Sequence, residues 1–327
     1  MFNVLVTTVP FAQNNLLPLE LLETSGVNCI INPLNKKLTE NELAGMVSDI
    51  DVIIAGTEVI SDFVMSKANK LKMISRVGIG LDGVDLLAAK KRGIRVSYTP
   101  DAPAPAVAEL TIGLLITLLR SVHISNAQMH KGKWNRFFGQ RIADTTIGVI
   151  GLGRIGSRVL NRLAVFGTPR LLVNDISPSI DLSKKFKLEW VDKETIYKDS
   201  DIISLHVPLT NATKNMIAKK ELELMKTDAM IINTCRGGII NENDLYDVMK
   251  NGHLSGAAID VFEEEPYNGK LNTIERCILT AHMGSMSVDC RTRMEIEATE
   301  EAIRFIKGDN LISEVPKEEY DVQSEGL

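Results

Sequence analysis

The sequence predicts an α/β protein built as two doubly wound domains with parallel sheets. Three observations carry this. Short β-rich runs alternate with helical stretches through the first hundred residues, the proline-rich segment TPDAPAP (Thr99–Pro105) then breaks the rhythm, and a second alternating series follows from Thr145. At 327 residues the chain is long enough for two domains that each bury a core. Strands separated by helices of this length pair in parallel through right-handed crossovers.

The first series reads in order as strand FNVLVTT, helix LPLELLETSG closing on Gly26, strand VNCIIN, helix ENELAGMVSD, strand DVIIAG, helix SDFVMSKANK, strand KMISRV, helix VDLLAAKKRG closing on Gly93, and strand GIRVSY. The basic run Lys90-Lys91-Arg92 before Gly93 suits a helix C-terminus, where cations complement the dipole. Proline stiffens the chain and removes ladder donors, which makes TPDAPAP the linker. The apolar stretch Ala106–Arg120 carries Glu109 and is too short for a membrane span, so it reads as a buried or interface helix. A polar stretch from Gln128 to Asp144 leads to strands TTIGVIG, RLLVND, DIISLHV, AMIINT, SGAAID and CILTA. An amphipathic helix is expected from Val288 to about Lys307, with a loose polar tail beyond Pro316.

The composition is 44% hydrophobic and 24% charged with a net charge of −5, which argues against nucleic-acid and anionic-membrane partners. The N-terminus shows no positive leader followed by an apolar core, and the four cysteines have no CxxC spacing, so neither a zinc site nor a disulfide framework is implied. A reduced, cytoplasmic protein without a metal is expected.

The second series opens with TTIGVIGLGRIGSRV, where Gly151, Gly153 and Gly156 stand between an apolar strand and a helical pattern, and Asp175 ends the next strand 19 residues beyond Gly156. The first glycine allows the turn, the second lets the backbone approach a pyrophosphate, and the third lets helix and strand pack closely. The pyrophosphate would meet the helix N-terminus at the amides of Arg154 and Ile155. Asp175 suits a ribose diol and repels a 2′-phosphate, and neither Ile176 nor Ser177 supplies a compensating cation. The cofactor is therefore expected to be NAD, not NADP.

Three later segments place polar chemistry at strand exits: Arg236 after AMIINTC, Asp260 and Glu265 in DVFEEEP, and His282 after ILTA. Ligands of open parallel sheets bind outside the carboxyl ends of the strands. Arginine pairs bidentately with a planar carboxylate. Histidine can pass a proton to a carbonyl oxygen as hydride arrives, and a carboxylate can orient its ring. Charge alone does not decide which glutamate of the run Glu263–Glu265 faces the cleft. Asp260 can hold a nicotinamide carboxamide, while Cys235 reads as packing and His206 as a cleft-lining or backbone-satisfying residue.

With VIGLGRIGSRV, LHVPLT, INTCRGGII, DVFEEEP and LTAHMGS together, the chain resembles the D-isomer-specific 2-hydroxyacid dehydrogenases over nearly its whole length. The resemblance implies a catalytic set of Arg236, Glu265 and His282. It implies cofactor contacts at Gly151, Gly153, Arg154, Ile155, Gly156, Asp175, Val207, Pro208, Thr213, Thr234, Cys235, Arg236, Asp260 and His282 to Gly284. It also implies a Rossmann NAD-binding domain, residues 100–287, inserted in a flavodoxin-like substrate-binding domain formed by residues 1–99 and 288–327. A homodimer would be built on the NAD-binding domain through the apolar helix after Ala106. The segment SRVGIGLDGVD resembles the family's substrate loop, whose amides near Val77 and Gly78 would hold the substrate carboxylate.

The substrate is then a D-2-hydroxy acid or its 2-keto acid. Arg76 stands where phosphoglycerate dehydrogenases of the family often read a phosphate, which favours 3-phosphoglycerate and phosphohydroxypyruvate. Ile54 and Ala55, after the third strand, supply no second phosphate reader, and the regulatory domain many such enzymes carry is missing. Glyoxylate or hydroxypyruvate reduction is the alternative, and an NAD-sensing scaffold protein is a third reading.

Overall fold

The computed structural model describes residues 1–167 and 169–324. They form two compact units, Met1–Pro103 with Met286–Leu327, and Ala104–Ser285. The changeovers fall a few residues from the expected 99/100 and 287/288. Hydrogen bonds explain the first of these: the amides of Tyr98 and Thr99 donate to Ser313 O (3.1 Å) and Gly78 O (3.1 Å), so this stretch stays with the first unit until the helix Ala104–Leu119 begins.

The first unit holds β1 (Asn3–Val6), β2 (Asn28–Ile31), β3 (Val52–Ala55), β4 (Met73–Arg76) and β5 (Arg95–Ser97). All pair in parallel in the order β2-β1-β3-β4-β5. This is the flavodoxin-like order. The central strand β3 is an unbroken apolar run, Val52 to Ala55, each residue 0% exposed, because helices cover both faces. The edge strand β2 leaves Ile30 and Ile31 exposed. The long helix Val288–Lys307 belongs to this unit, where Ala298 O accepts from Ser75 Oγ at 2.7 Å.

The second unit holds β6 (Thr146–Ile150), β7 (Arg170–Asn174), β8 (Leu188–Trp190), β9 (Ile202–Leu205), β10 (Met230–Asn233), β11 (Gly256–Ile259) and β12 (Cys277–Leu279). They form one parallel sheet in the order β12-β11-β10-β9-β6-β7-β8. Strand order reverses at β6, so the β6 and β9 exits flank the switch point where such sheets bind dinucleotides. Against the sheet pack the helix Ala104–Leu119 and the helix Arg154–Leu163, the latter burying Val159, Leu160 and Leu163.

Three features differ from the sequence reading. The helix expected to run to Asp49 spans Glu40–Ala44 and stops at Gly45. Strand β8 escaped notice because its three residues form a sheet edge with little hydrophobic pattern. Of the tail expected to be loose beyond Pro316, residues 325–327 lie outside the described residues, and Lys317–Ser324 forms a helix. Gln323 pins it to the first unit: its Oε1 accepts from the amides of Leu86 (2.6 Å) and Leu87 (3.3 Å), and its Nε2 donates to Val84 O (2.8 Å). Among the described residues, no single helix is long and apolar enough to cross a membrane, and no group of three or more His, Cys, Asp or Glu is placed to hold a metal ion.

Candidate active site

The glycine turn follows β6. Gly151 has φ +92, and a Cβ there would lie 2.4 Å from His206 O; a Cβ on Gly156 would lie 2.0 Å from Gly151 O. Side chains at either position would push the turn open. At Gly153 a Cβ would meet nothing within 4 Å, so that glycine keeps the approach to the turn clear. Gly153 is the N-cap of the helix Arg154–Leu163 and makes no side-chain hydrogen bond there, and the first turn of that helix follows the glycine turn directly. Asp175 leaves β7 with Oδ2 accepting the Leu152 amide (2.6 Å) and Oδ1 accepting the Ser177 amide (2.8 Å). The carboxylate is thus locked to the glycine turn. These residues fit a dinucleotide with a free ribose diol.

The loop after β9 is braced internally. Thr213 Oγ1 donates to Pro208 O (2.6 Å) and accepts the Thr210 amide (2.8 Å), which fixes the segment from Val207. His206 pairs Nε2 with Ser204 Oγ at 2.8 Å, and its buried Nδ1 has no partner among the described residues. Burial pushes this imidazole down to about 3, so it stays neutral near pH 7 and takes no part as an acid. Thr234 Oγ1 meets Thr111 Oγ1 at 2.8 Å, tying the β10 exit to the helix Ala104–Leu119. Cys235 is 7% exposed, its Sγ lies 2.9 Å from Asn233 Oδ1, and burial pushes the thiol up to about 11. It is an inert packing residue near neutrality.

Arg236, Asp260 and His282 stand at the exits of the three consecutive strands β10, β11 and β12. Behind Arg236, Gly237 admits the next segment, since a Cβ there would lie 2.0 Å from Phe262 O. Asn233 Nδ2 donates to Arg236 O (2.8 Å), and Arg236 Nη1 donates to Cys235 O (2.6 Å). The glycine after the arginine therefore packs its backbone against Phe262 and Glu263.

His282 Nδ1 lies 2.9 Å from Glu265 Oε2 and 3.1 Å from Oε1. This decides among the three glutamates: Glu265 meets the histidine, while the Glu263 amide instead donates to Glu242 Oε1 (2.8 Å). The Phe262 amide donates to Glu265 Oε1 (3.2 Å) and helps hold the carboxylate in place. With Nδ1 engaged, Nε2 is the ring atom available to a substrate oxygen.

Sequence reasoning missed the main work of Asp260. His282 has φ +51, a left-handed conformation uncommon outside glycine. Asp260, 0% exposed, holds that turn. Its carbonyl accepts the His282 amide (2.8 Å), Oδ1 accepts Thr280 Oγ1 (2.5 Å) and the Met283 amide (2.7 Å), and Oδ2 accepts the Gly284 amide (2.8 Å). Burial is the largest influence on this carboxyl and pushes it up, against the pull of those bonds. Three of a carboxylate's roughly four acceptor sites are spent inside the loop. Asp260→Asn would turn a donor toward one of these N–H groups, leaving a buried donor unmet at about 1–3 kcal/mol. Turnover should fall equally with NADH and with its 3-acetylpyridine analogue, which lacks the carboxamide NH2. A loss confined to NADH would instead assign Asp260 to the carboxamide.

The loop expected to meet the substrate follows β4 in the first unit. The Val77 amide donates to Ala55 O (2.9 Å), and the Gly78 amide donates to Thr99 Oγ1 (2.8 Å) and Arg76 O (3.1 Å). Both are spent on the fold. Among the described residues, the amides of Ile79 and Gly80, next along the loop, carry no such bond. Arg76 is 7% exposed, and a Cβ on Gly78 would lie 2.8 Å from its Nη1, which donates to Val77 O. Its guanidinium thus lies against the backbone of the loop.

A glycine turn locked to an acidic residue, with a histidine–glutamate pair and an arginine at neighbouring strand exits, defines an NAD-dependent dehydrogenase. Residues 112–284 match the family model described as D-isomer specific 2-hydroxyacid dehydrogenase, NAD binding domain. The chain is 36% identical to a hydroxypyruvate reductase of Thermotoga maritima over 83% of this chain and 89% of that one. It is 38% identical to a D-3-phosphoglycerate dehydrogenase of Methanocaldococcus jannaschii over 83% of this chain and 53% of that one. The crystal structure of the TT0316 protein from Thermus thermophilus superposes with a TM-score of 0.87 at 31% identity, covering 96% of this chain and 100% of that one. The chain belongs to the D-isomer specific 2-hydroxyacid dehydrogenase family, and NAD is its cofactor.

Proposed function

We propose that this dehydrogenase interconverts a short D-2-hydroxy acid and its 2-keto acid of the hydroxypyruvate type, phosphorylated or not. The observation that carries the reading is the His282 Nδ1–Glu265 contact at 2.9 Å beside the exit that bears Arg236. NAD supplies the hydride acceptor, or donor in reverse. Arg236 pairs with the substrate carboxylate through its planar fork. His282 holds a proton at Nε2, gives it to the keto oxygen during reduction and recovers it in oxidation. Glu265 fixes the ring and opposes the positive charge. Asp175 selects NAD. Consumption of NADH with hydroxypyruvate, phosphohydroxypyruvate and glyoxylate, each at the same low concentration, tests the reading; no turnover of any of them with NADH bound would defeat it.

We also propose a cytoplasmic homodimer assembled on the second unit. Support comes from exposed apolar groups along one stretch: Ile116, Val122 and Met129, then Trp134 at 78% and Phe138 fully exposed. Ile116, Val122 and Met129 line a surface hollow with Arg120. So much apolar surface close together marks an association site. The four cysteines are free thiols, which suits a reducing compartment. Light scattering should give twice the chain mass, and Trp134→Glu with Phe138→Glu should shift it toward the monomer.

A further inference from the structure

The helix Glu242–Lys250 begins shortly after the turn that bears Arg236, and Asn241 caps it by accepting the Asp244 amide at 3.0 Å. Its first residue, Glu242, is half-buried and directed at a different segment: its Oε1 accepts the amide of Glu263 at 2.8 Å. Glu263 opens the turn that leads to Glu265, whose carboxylate lies 2.9 Å from His282 Nδ1.

This is an awkward place for an acid. Burial pushes the Glu242 carboxyl up, and the charges of Glu263, Glu264 and Glu265 push it the same way, against the pull of the Glu263 amide. The helix does not need that oxygen, because Asn241 already caps it. What the oxygen serves is the Glu263 amide, so the reason for an acid here lies in the glutamate turn. A local conflict kept in this way is expected where function requires it.

The same helix holds the far end of that segment. Lys270 Nζ donates to Asn243 Oδ1 (3.3 Å) and stands 5.6 Å over the Tyr246 ring. Between the two anchors the segment closes on itself: the rings of Phe262 and Tyr267 stack with centroids 4.1 Å apart, and the Tyr267 hydroxyl accepts the Leu271 amide at 3.2 Å. Lys270 and Asn243 are exposed, and contacts between exposed side chains contribute little. The anchor that weighs most is the short, half-buried one beside Glu265. A carboxylate orients an imidazole only while its own backbone stays in place, and a displacement of about 1 Å can cost on the order of 10² in rate.

We propose that Glu242 is a positioning residue for the proton transfer: by accepting the Glu263 amide it sets the backbone of the Glu263–Glu265 turn, and through it the Glu265 carboxylate against His282. The acceptor oxygen is what matters, not its charge. The stretch from Arg236 to Glu242 then serves the site at both ends, the substrate carboxylate at its start and the support of the proton donor at its end. This rests on His282 being the proton donor of a 2-keto acid reductase.

The test is kcat for keto-acid reduction at saturating NADH, with whichever of hydroxypyruvate, phosphohydroxypyruvate and glyoxylate wild type turns over fastest. The variants are Glu242→Ala, Glu242→Gln, Glu265→Gln, Glu264→Gln and the double variant of Glu242→Ala with Glu265→Gln. Glu242→Ala should lower kcat about three- to tenfold, the worth of one hydrogen bond. Glu242→Gln keeps an acceptor oxygen at the same reach and should turn over close to wild type. Glu264→Gln, which removes only a neighbouring charge, should change nothing. In the double variant Glu242→Ala should cost nothing beyond Glu265→Gln, because its effect passes through Glu265. Losses that multiply in the double variant, unchanged kcat in Glu242→Ala, or Glu242→Gln as slow as Glu242→Ala would each overturn the positioning role while leaving the reductase reading intact. Wild-type turnover in His282→Ala, or silence of wild type with all three acids, would remove that reading, and the role of Glu242 with it.

Discussion

Replacing His282 by alanine should lower kcat by a factor of about 10²–10⁴ while NADH still binds. The ring is the one group that combines an engaged Nδ1, 2.9 Å from Glu265, with a second nitrogen able to carry the moving proton. Removing it leaves the keto oxygen to take its proton from water. A change of backbone must be separated from this loss, because residue 282 sits at φ +51. Alanine disfavours that conformation, whereas asparagine tolerates it and carries no proton to give near pH 7. His282→Asn should therefore lose as much turnover as His282→Ala while keeping the Asp260-braced turn. Steady-state turnover together with a fluorescence titration of NADH checks both. Turnover within a few-fold of wild type in either variant would remove His282 from the proton transfer.

The parts of this enzyme that were legible in the sequence are those whose physics is local. Strand β3 reads as a buried strand because VIIA can only be satisfied between two covered faces. The glycine turn reads as a dinucleotide site because Gly151 and Gly156 admit no Cβ, and the context of strand, helix and Asp175 supplies the rest. Arg236, Glu265 and His282 could be placed at strand exits; charge alone left three glutamates open, the family resemblance pointed to Glu265, and the fold sets Glu265 2.9 Å from the imidazole. What stayed hidden depends on partners far apart in the chain. The burial of Arg76 against Gly78 and Val77 O depends on how the loop folds over it, which residue type does not signal. The Val77 and Gly78 amides meet Ala55 O and Thr99 Oγ1, partners that residue type cannot signal. The helix of the tail is pinned by Gln323 to the start of the helix Leu86–Lys91, far away in the chain.

Arg236→Lys should lower kcat/KM for the keto acid by roughly 10- to 100-fold, with most of the loss in KM, although the charge is kept. A lysine ammonium is a compact point charge on a flexible stem. It cannot present the planar fork that meets both oxygens of a carboxylate, so the substrate loses orientation as well as attraction. The surroundings of Arg236 are tuned to the fork. Asn233 fixes its carbonyl at 2.8 Å, its own Nη1 is anchored to Cys235 O at 2.6 Å, and Gly237 holds the backbone against Phe262. A lysine cannot keep one donor anchored and still offer a coplanar pair, because its three N–H groups radiate from a single atom. NADH affinity should change little if Arg236 acts on the substrate, so a KM rise without a matching loss of NADH binding supports the carboxylate role. A variant that keeps KM and loses NADH affinity would move Arg236 from the substrate to the cofactor.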